Sequence, residues 1–327
     1  MARDLIIGGA SNYNWNQLRY WVNSIKKTGF KGDIVLVATN MSGDTVKKLV
    51  EEDVKVYAYG NRTEDGGIAK TENNIPPHVE RFIFIWDFLR KNKDEYRFVT
   101  VTDTRDVIFQ RDPTEFLESK LLYGAASMVC ASEGLAYKDE PWGSKNLLDT
   151  FGPLVYDELK DKLIYNVGTI AGFADEVRDL LIQIFFQSVN RPIPIVDQAV
   201  FNFIISMSAY ELEIVRTTNE SGWAIQLGTT LEAIKAGAGD IGQIVRQDPS
   251  KLDEYIKVYQ DTQPMISGDQ VIVGSVSDTN VVDGDLVPVK VPFTIVHQWD
   301  RVPAIRDLVE KVYGDGKCEE VITLKTH

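Results

Sequence analysis

Cysteine is nearly absent from the chain: there are two in 327 residues, Cys130 and Cys318. They are far apart in sequence and offer neither a disulfide framework nor the CxxC spacing of a metal site, so both are expected to be buried or incidental thiols. An excess of positive charge is lacking as well. Thirty-five Lys and Arg residues stand against 48 Asp and Glu, for a net charge of −13. That balance argues against nucleic acid as a partner and against anionic membranes, since phosphate neutralisation needs a basic surface; it leaves room only for a local basic groove. No apolar run approaches the about 20 residues that span a bilayer, and the opening Met-Ala-Arg-Asp-Leu-Ile-Ile-Gly-Gly-Ala is too short an apolar run for a signal peptide. A cytoplasmic protein with no integral membrane segment is therefore expected. Asn-x-Ser/Thr sequons begin at Asn40, Asn61 and Asn219, but without a secretory route they read as chance matches. HExxH, GxSxG and Walker-type loops are missing, which lowers the hydrolase and P-loop readings. Gly237-Ala-Gly-Asp-Ile-Gly242 matches GxGxxG literally, yet it follows the helix-like residues 231–236 instead of a strand and is discarded as a dinucleotide site.

What remains is ample for a core: 44% of residues are apolar and 10% aromatic. The length suits one large or two modest domains. Residues 4–9 read as a strand, and Trp15, Leu18, Trp21, Val22 and Ile25 recur at helical spacing until Gly29. Residues 33–39 form a continuous apolar run of buried-strand type, Ser42 opens a helix through Val50, and residues 54–59 are a third strand. This alternation predicts an α/β protein: a mostly parallel sheet with helices on both faces, right-handed crossovers and ligands at the carboxyl edge. Residues 60–74 read as a mobile loop near that edge, and Pro76-Pro77 introduces a helix over 78–91. Further along, strands are predicted over 97–102, 123–131, 163–172, 212–216, 270–274 and 293–297. Helices are predicted from Asp112, over 174–189, after Asp197-Gln198 and over 304–313, while Pro141-Trp-Gly and Phe151-Gly-Pro punctuate a polar connection.

The stretch Arg97-Phe-Val-Thr-Val-Thr-Asp-Thr-Arg-Asp-Val-Ile-Phe-Gln-Arg-Asp-Pro113 concentrates the chemistry. An apolar β-branched run ends there in Asp103 and Asp106, at the end of a strand where open α/β sheets place ligands. Two carboxylates at a rigid strand end suit Mg²⁺ or Mn²⁺, which prefer oxygen ligands and keep positions for phosphate. The plainer alternative has Asp106 capping the next turn and Asp103 pairing with Arg105. His297, in Val296-His-Gln-Trp-Asp-Arg301, adds an imidazole suited to metal or diphosphate contact, against the alternative of a hydrogen-bonded core histidine. His78 reads as a polar helix-start position, and His327 is uninformative. Asn166-Val-Gly168 would let a sugar or phosphate approach the backbone, and Asp197-Gln198 offers a carboxylate that could orient hydroxyls or accept a proton; a turn glycine and a helix-capping aspartate explain the same residues equally well. Trp142 could stack on a sugar face or be partly buried.

Together these residues resemble the GT-A-type glycosyltransferases, in which a strand-end acidic motif holds a divalent metal against the diphosphate of a nucleotide-sugar. Asp103-Thr-Arg-Asp-Val-Ile-Phe-Gln-Arg-Asp-Pro113 looks like the Asp-Ser/Thr-Arg-Asp-Val-x-Phe-Gln-x-Asp-Pro signature of a group found in plants, algae and large algal viruses. The resemblance covers most of residues 1–230 and 293–303. It implies a GT-A-like fold with a smaller C-terminal acceptor-side subregion, a metal (Mn²⁺ or Mg²⁺) held by Asp106 and His297, and Asp103 near the ribose or a metal-bound water. The acidic pair here is Asp-x-x-Asp, with Arg105 where a simple Asp-x-Asp would place its second carboxylate. The resemblance further implies that residues 8–13 (Gly8, Ala10, Asn12 and Tyr13 among them) help hold the nucleotide base and that Arg81 reaches the phosphates; the spacing lets Arg105 either brace the loop by pairing with a carboxylate or face the donor. Asn166, Gly168, Gln198 and Trp142 fall to the sugar side, and Asp197 is the candidate base. On this reading residues 1–110 form a nucleotide-binding half, 111–227 the acceptor and sugar-binding half of the same domain, 228–292 an irregular subregion, and 293–327 a strand and helix returning to the active site. The implied activity is metal-dependent sugar transfer from a nucleotide-diphosphate donor to a carbohydrate hydroxyl. The alternatives are a sugar-phosphate nucleotidyltransferase and a non-catalytic nucleotide-sugar or glycan-binding protein.

Overall fold

The computed structural model describes residues 2–314 except 192, 194, 219, 220, 260–264, 268–270, 274–277, 283–284 and 290–291. Cys318, His327, the sequon at Asn219 and the ends of the strand expected over 270–274 lie outside the described residues. The amino-terminal part follows the apolar runs closely: β1 (Arg3–Ser11), α1 (Trp15–Lys27), β2 (Asp33–Thr39), α2 (Gly43–Glu51), β3 (Lys55–Ala58), α3 (Pro77–Lys91) and β4 (Tyr96–Thr102). Local chemistry sets the helix starts. The backbone N–H of Asn14 donates to Gln17 Oε1 at 3.1 Å in a capping box before α1, the Ser42 side chain accepts from the Thr45 N–H before α2, and Pro77 stands in the first turn of α3.

β5 (Val107–Phe109), α4 (Pro113–Leu121), β6 (Met128–Ala136), α5 (Pro141–Phe151), α6 (Pro153–Leu159), β7 (Leu163–Phe173), α7 (Ala174–Ser188), α8 (Asp197–Ile205), β8 (Ile214–Thr217) and β9 (Ala224–Gln226) follow. Three short helices come next: α9 (Leu231–Lys235), α10 (Gly239–Gln247) and α11 (Leu252–Tyr259). They lead to two antiparallel strand pairs, β10 (Met265–Ser267) with β11 (Val271–Val273), and β12 (Asp278–Val282) with β13 (Asp285–Val289). β14 (Ile295–His297) and α12 (Pro303–Tyr313) complete the described chain.

Seven strands form the main sheet in the order β3-β2-β1-β4-β7-β6-β8. All neighbours are parallel except β7, which runs antiparallel to both β4 and β6. The strands are apolar on both faces because both are covered. Leu5 and Ile7 of β1, Val35 and Val37 of β2, and Val99 and Val101 of β4 face α3, α7 and α8; Ile6, Leu36, Ala38 and Phe98 face the opposite way, onto α1, α2 and α4. A second, three-stranded sheet, β5-β14-β9, has β14 antiparallel to β5 and parallel to β9. Among the described residues no helix is long and apolar enough to cross a membrane.

Several sequence expectations are corrected. The polar connection expected around 141–153 consists of two helices: Pro141 and Pro153 each stand in a first helical turn, Glu140 caps α5 through its side chain, and Gly152, at φ +80°, turns the chain between them. The strand expected from Tyr123 begins at Met128, and Tyr123 is 91% exposed. The strand expected from Leu212 begins at Ile214. Asp197 and Gln198 are not in a loop but open α8. Residues 60–74 are tied to the end of β2 by backbone bridges from Ile68 to Met41, with Ile68 buried.

Trp21 links α1 to the sheet edge that matters. It is fully buried, and its indole Nε1–H donates to Thr102 Oγ1 at 2.9 Å, one residue before Asp103. Trp21→Phe leaves the buried Thr102 hydroxyl without that donor, and the expected loss is about 1–3 kcal/mol of unfolding free energy. Urea denaturation checks this; a midpoint and slope equal to wild type would mean that the bond contributes nothing.

Candidate active site

The reversed direction of β7 builds the site. A strand antiparallel to β4 presents its beginning, not its end, at the carboxyl edge of β4. The β4–β7 ladder runs to the pair Thr102–Thr169, and the Asp103 N–H then donates to Gly168 O at 3.0 Å. Asn166 and Gly168 are thereby set beside Asp103. Gly168 is required by the approach: a Cβ there would stand 2.9 Å from each of Asn166 Oδ1, Asp103 Oδ2 and His297 Cε1.

His297 arrives from the far end of the sequence through strand pairing. In the β5–β14 register His297 opposes Val107, and the Gln298 N–H donates to Asp106 O at 2.7 Å. On its other side β14 pairs with β9 so that His297 lies opposite Gln226. His297 Nδ1 and Gln226 Oε1 are 2.6 Å apart, and Gln226 Nε2 donates to the buried Thr169 hydroxyl at 3.1 Å. The contact with Gln226 fixes the ring so that its other nitrogen, Nε2, is turned toward the carboxylates. That nitrogen lies 3.4 Å from Asp103 Oδ2 and 3.6 Å from Asp106 Oδ1. One atom from each of Asp103, Asp106 and His297 falls within 4.8 Å of the others. Two carboxylate oxygens with one oriented imidazole nitrogen fit a divalent cation of the Mn²⁺ or Mg²⁺ type. Burial pushes the Asp106 carboxyl up, but the facing His297 and the guanidinium groups of Arg105 and Arg301 hold it well below the usual carboxylate range. It is thus ionised, as a ligand must be.

Cations organise the carboxylates around this cluster. Arg81 from α3 bridges two of them, with Nη1 on Asp103 Oδ1 and Nη2 3.4 Å from Asp197 Oδ2. Burial draws the Arg81 guanidinium down, opposed chiefly by the charge of Asp197. Arg105 is not paired with Asp103: its Nη2 lies 3.3 Å from both Asp106 Oδ2 and Asp300 Oδ2. It therefore braces the second carboxylate against the turn after β14.

All of this opens onto one cavity of about 490 Å³. Ala10, Tyr13, Arg81, Asp103, Arg105, Asp106, Trp142, Asn166, Asp197, Gln198 and His297, singled out from sequence, line it together. Gly8 and Asn12 do not line it. Gly8 packs β1 against β4, where a Cβ would meet Thr104 and come within 2.8 Å of Thr102 O; Asn12, at φ +62°, turns the chain after β1 and accepts from the Asn40 amide. Sequence reasoning missed Gln226, which orients His297, and Glu133, which accepts from Asn166 Nδ2 at 2.8 Å and Gln198 Nε2 at 3.0 Å. The available signal was a charged residue, Glu133, within the otherwise largely apolar β6 and an amide, Gln226, closing the short apolar β9. Glu80 was missed as well; it lines the cavity, is buried, and accepts from Thr71 Oγ1 at 2.8 Å.

No protein-family model and no curated protein matches the chain. Among solved structures, the bifunctional glycosyltransferase WbbM in its apo form aligns over 80% of this chain at 12% identity and a TM-score of 0.47, and the match spans 50% of that protein's length. The galactosyltransferase LgtC, solved with donor and acceptor sugar analogs, aligns over 94% of this chain and 95% of its own at 12% identity and a TM-score of 0.48. Both are glycosyltransferases, at a similarity too low to carry residue roles across.

The orienting bond from Gln226 gives the first test of the cluster. Gln226→Leu removes this hold on the ring and is expected to weaken Mn²⁺ binding roughly 10- to 100-fold. Titration followed by electron paramagnetic resonance measures it, and unchanged affinity would remove Gln226 from the metal site.

Proposed function

We propose that the protein is a metal-dependent glycosyltransferase of GT-A type, moving a sugar from a nucleotide-diphosphate donor to a hydroxyl of a carbohydrate acceptor. The observation that carries this reading is the convergence of Asp103, Asp106 and His297 on the cavity that also holds Asp197, Gln198 and Asn166. A diphosphate-binding end and a hydroxyl-binding end share one space. The likeness of residues 103–113 to the acidic signature of the plant, algal and algal-viral group supports the same reading.

Asp103, Asp106 and His297 would hold a divalent cation, which would supply positive charge to stabilise the diphosphate leaving group. Arg81, buried between Asp103 and Asp197, adds a fixed cation at the same place and holds the two carboxylates in register. Residues from the ends of β1 and β2, Ala10, Tyr13 and Thr39, line the nucleotide end. Asn166, Gln198 and Trp142 line the sugar end, with Trp142 held in the first turn of α5 by the capping Glu140. Asp197 offers Arg81 one oxygen and keeps Oδ1 for substrate. If transfer inverts the anomeric centre, the acceptor hydroxyl gives its proton to Asp197 as its oxygen bonds the anomeric carbon and the nucleoside diphosphate leaves; if it retains, Asp197 positions the sugar.

The nucleotidyltransferase reading is disfavoured by the loop after β1. Gly8-Gly-Ala-Ser-Asn-Tyr13 carries no lysine or arginine to meet a triphosphate.

Incubation with Mn²⁺ and a panel of nucleotide-sugars, with and without glycan acceptors, is expected to release nucleoside diphosphate. Pyrophosphate release from a sugar phosphate and a nucleoside triphosphate would select the nucleotidyltransferase, and tight binding without turnover would select a binding protein. Asp106→Ala is expected to lower Mn²⁺-dependent turnover on the order of 100-fold or more. Asp197→Asn should retain donor binding and lose transfer; full transfer by that variant would sink the assignment of Asp197 as base.

A further inference from the structure

Glu133 is a buried carboxylate that the reaction outlined above does not use. It stands on β6, 6% exposed, where the ladder to β7 shifts register on either side of Ser132 and Gly134 turns at φ +79°. This bulge turns the side chain toward the start of β7 and the start of α8. Its Oε1 accepts from Asn166 Nδ2 at 2.8 Å and from Gln198 Nε2 at 3.0 Å. Among the described residues, no lysine, arginine or histidine forms an ion pair with it. Burial pushes its carboxyl above the ordinary range, against the pull of the two amides. A buried acid without a cation is costly to keep, and packing alone would be served by an apolar residue.

What the acid does is visible in the two amides. A side-chain amide can present either its carbonyl or its NH₂ group to a ligand, and the partner on its other side decides which. Asn166 Oδ1 is already taken by the Gly168 N–H at 2.8 Å, and one Asn166 N–H is taken by Glu133. Gln198 turns its NH₂ group inward to Glu133, so its Oε1 is left to face a ligand. Both residues line the cavity. The floor of the sugar end therefore offers one fixed donor, the second N–H of Asn166, and one fixed acceptor, Gln198 Oε1. Neighbouring hydroxyls on a pyranose ring can accept from the first and donate to the second.

We propose that Glu133 is a positioning residue that locks the Asn166 and Gln198 amides in this donor–acceptor orientation, so that the site selects a donor sugar with two adjacent free hydroxyls. The proposal rests on the glycosyltransferase reading and assigns a recognition element within it.

The test compares the affinity of the Mn²⁺-loaded protein for a nucleoside diphosphate with that for the matching nucleotide-hexose, by calorimetry, in wild type and variants. Glu133→Ala is expected to leave the nucleoside diphosphate affinity unchanged and to shrink the extra affinity contributed by the sugar about tenfold, the scale of one or two lost hydrogen bonds. Glu133→Gln keeps a carbonyl that can accept from both amides and should restore most of that difference. Glu133→Asp keeps the charge but falls short of both amides and should not. If Glu133→Ala does not fold, the contrast between the Gln and Asp variants carries the test. A sugar contribution untouched in Glu133→Ala, an equal loss with and without the sugar, or a difference retained by Asp and lost by Gln would each overturn the positioning role. Wild-type protein that gains nothing from any attached hexose or pentose and turns none of them over would overturn the glycosyltransferase reading, and this proposal with it.

Discussion

The backbone hydrogen bond from Asp103 N–H to Gly168 O is the constraint on which the rest of the site depends. It exists because one strand of an otherwise parallel sheet is reversed. Had β7 run with its neighbours, its end near Phe173 would lie at this edge, and Asn166 would sit at the opposite edge of the sheet. Reversal brings a second strand's opening residues to the place where β4 releases its two aspartates. Gly168 then allows contact with the carboxylate and imidazole that any other residue would push aside. The main sheet is thus a parallel set, β3-β2-β1-β4, joined across the antiparallel β7 to β6 and β8, with the Asp103, Asp106 and His297 cluster at the join.

Around that join the charges are arranged asymmetrically. Arg81 holds Asp103, Arg105 holds Asp106, and His297 is equidistant from both to within 0.2 Å, the difference between 3.4 and 3.6 Å. Each aspartate thus has its own cation, while the imidazole Nε2 faces both and Gln226 holds the opposite ring nitrogen. The family resemblance favoured Asp106 over Asp103 as ligand; His297 Nε2 lies at nearly the same distance from both, though Asp106 is the more buried. Arg105, whose partner the spacing left open, is shared between Asp106 and Asp300 and ties the acidic turn to the residues after β14.

Much of this was legible in the chain. Strands buried on both faces appear as unbroken apolar runs, which made β1, β2 and β4 plain, and an apolar run that stops at two aspartates marks a ligand edge without further help. The direction of β7 was not legible, because a doubly buried strand has the same pattern whichever way it runs. Pro141 and Pro153 read as turn punctuation, whereas proline is equally at home in the first turn of a helix, where its missing N–H costs nothing. Glu133 and Gln226 were invisible for a different reason. A buried acid or amide in a short apolar run says that a partner exists, but the partners here, on β7, α8 and β14, are remote in sequence.

The pairing of β5 with β14 bears on when the site comes into being. Val107 and His297 are neighbours in space and are separated by most of the chain, so this ribbon closes one of the longest loops in the molecule. Contacts of such high sequence separation form late, after local strands and helices have reduced the entropy cost of closure. The sheet from β1 to β4 draws on residues made early, while the Asp103, Asp106 and His297 cluster needs residue 297. During synthesis the chain therefore carries its acidic pair for a long interval before the histidine that completes it emerges.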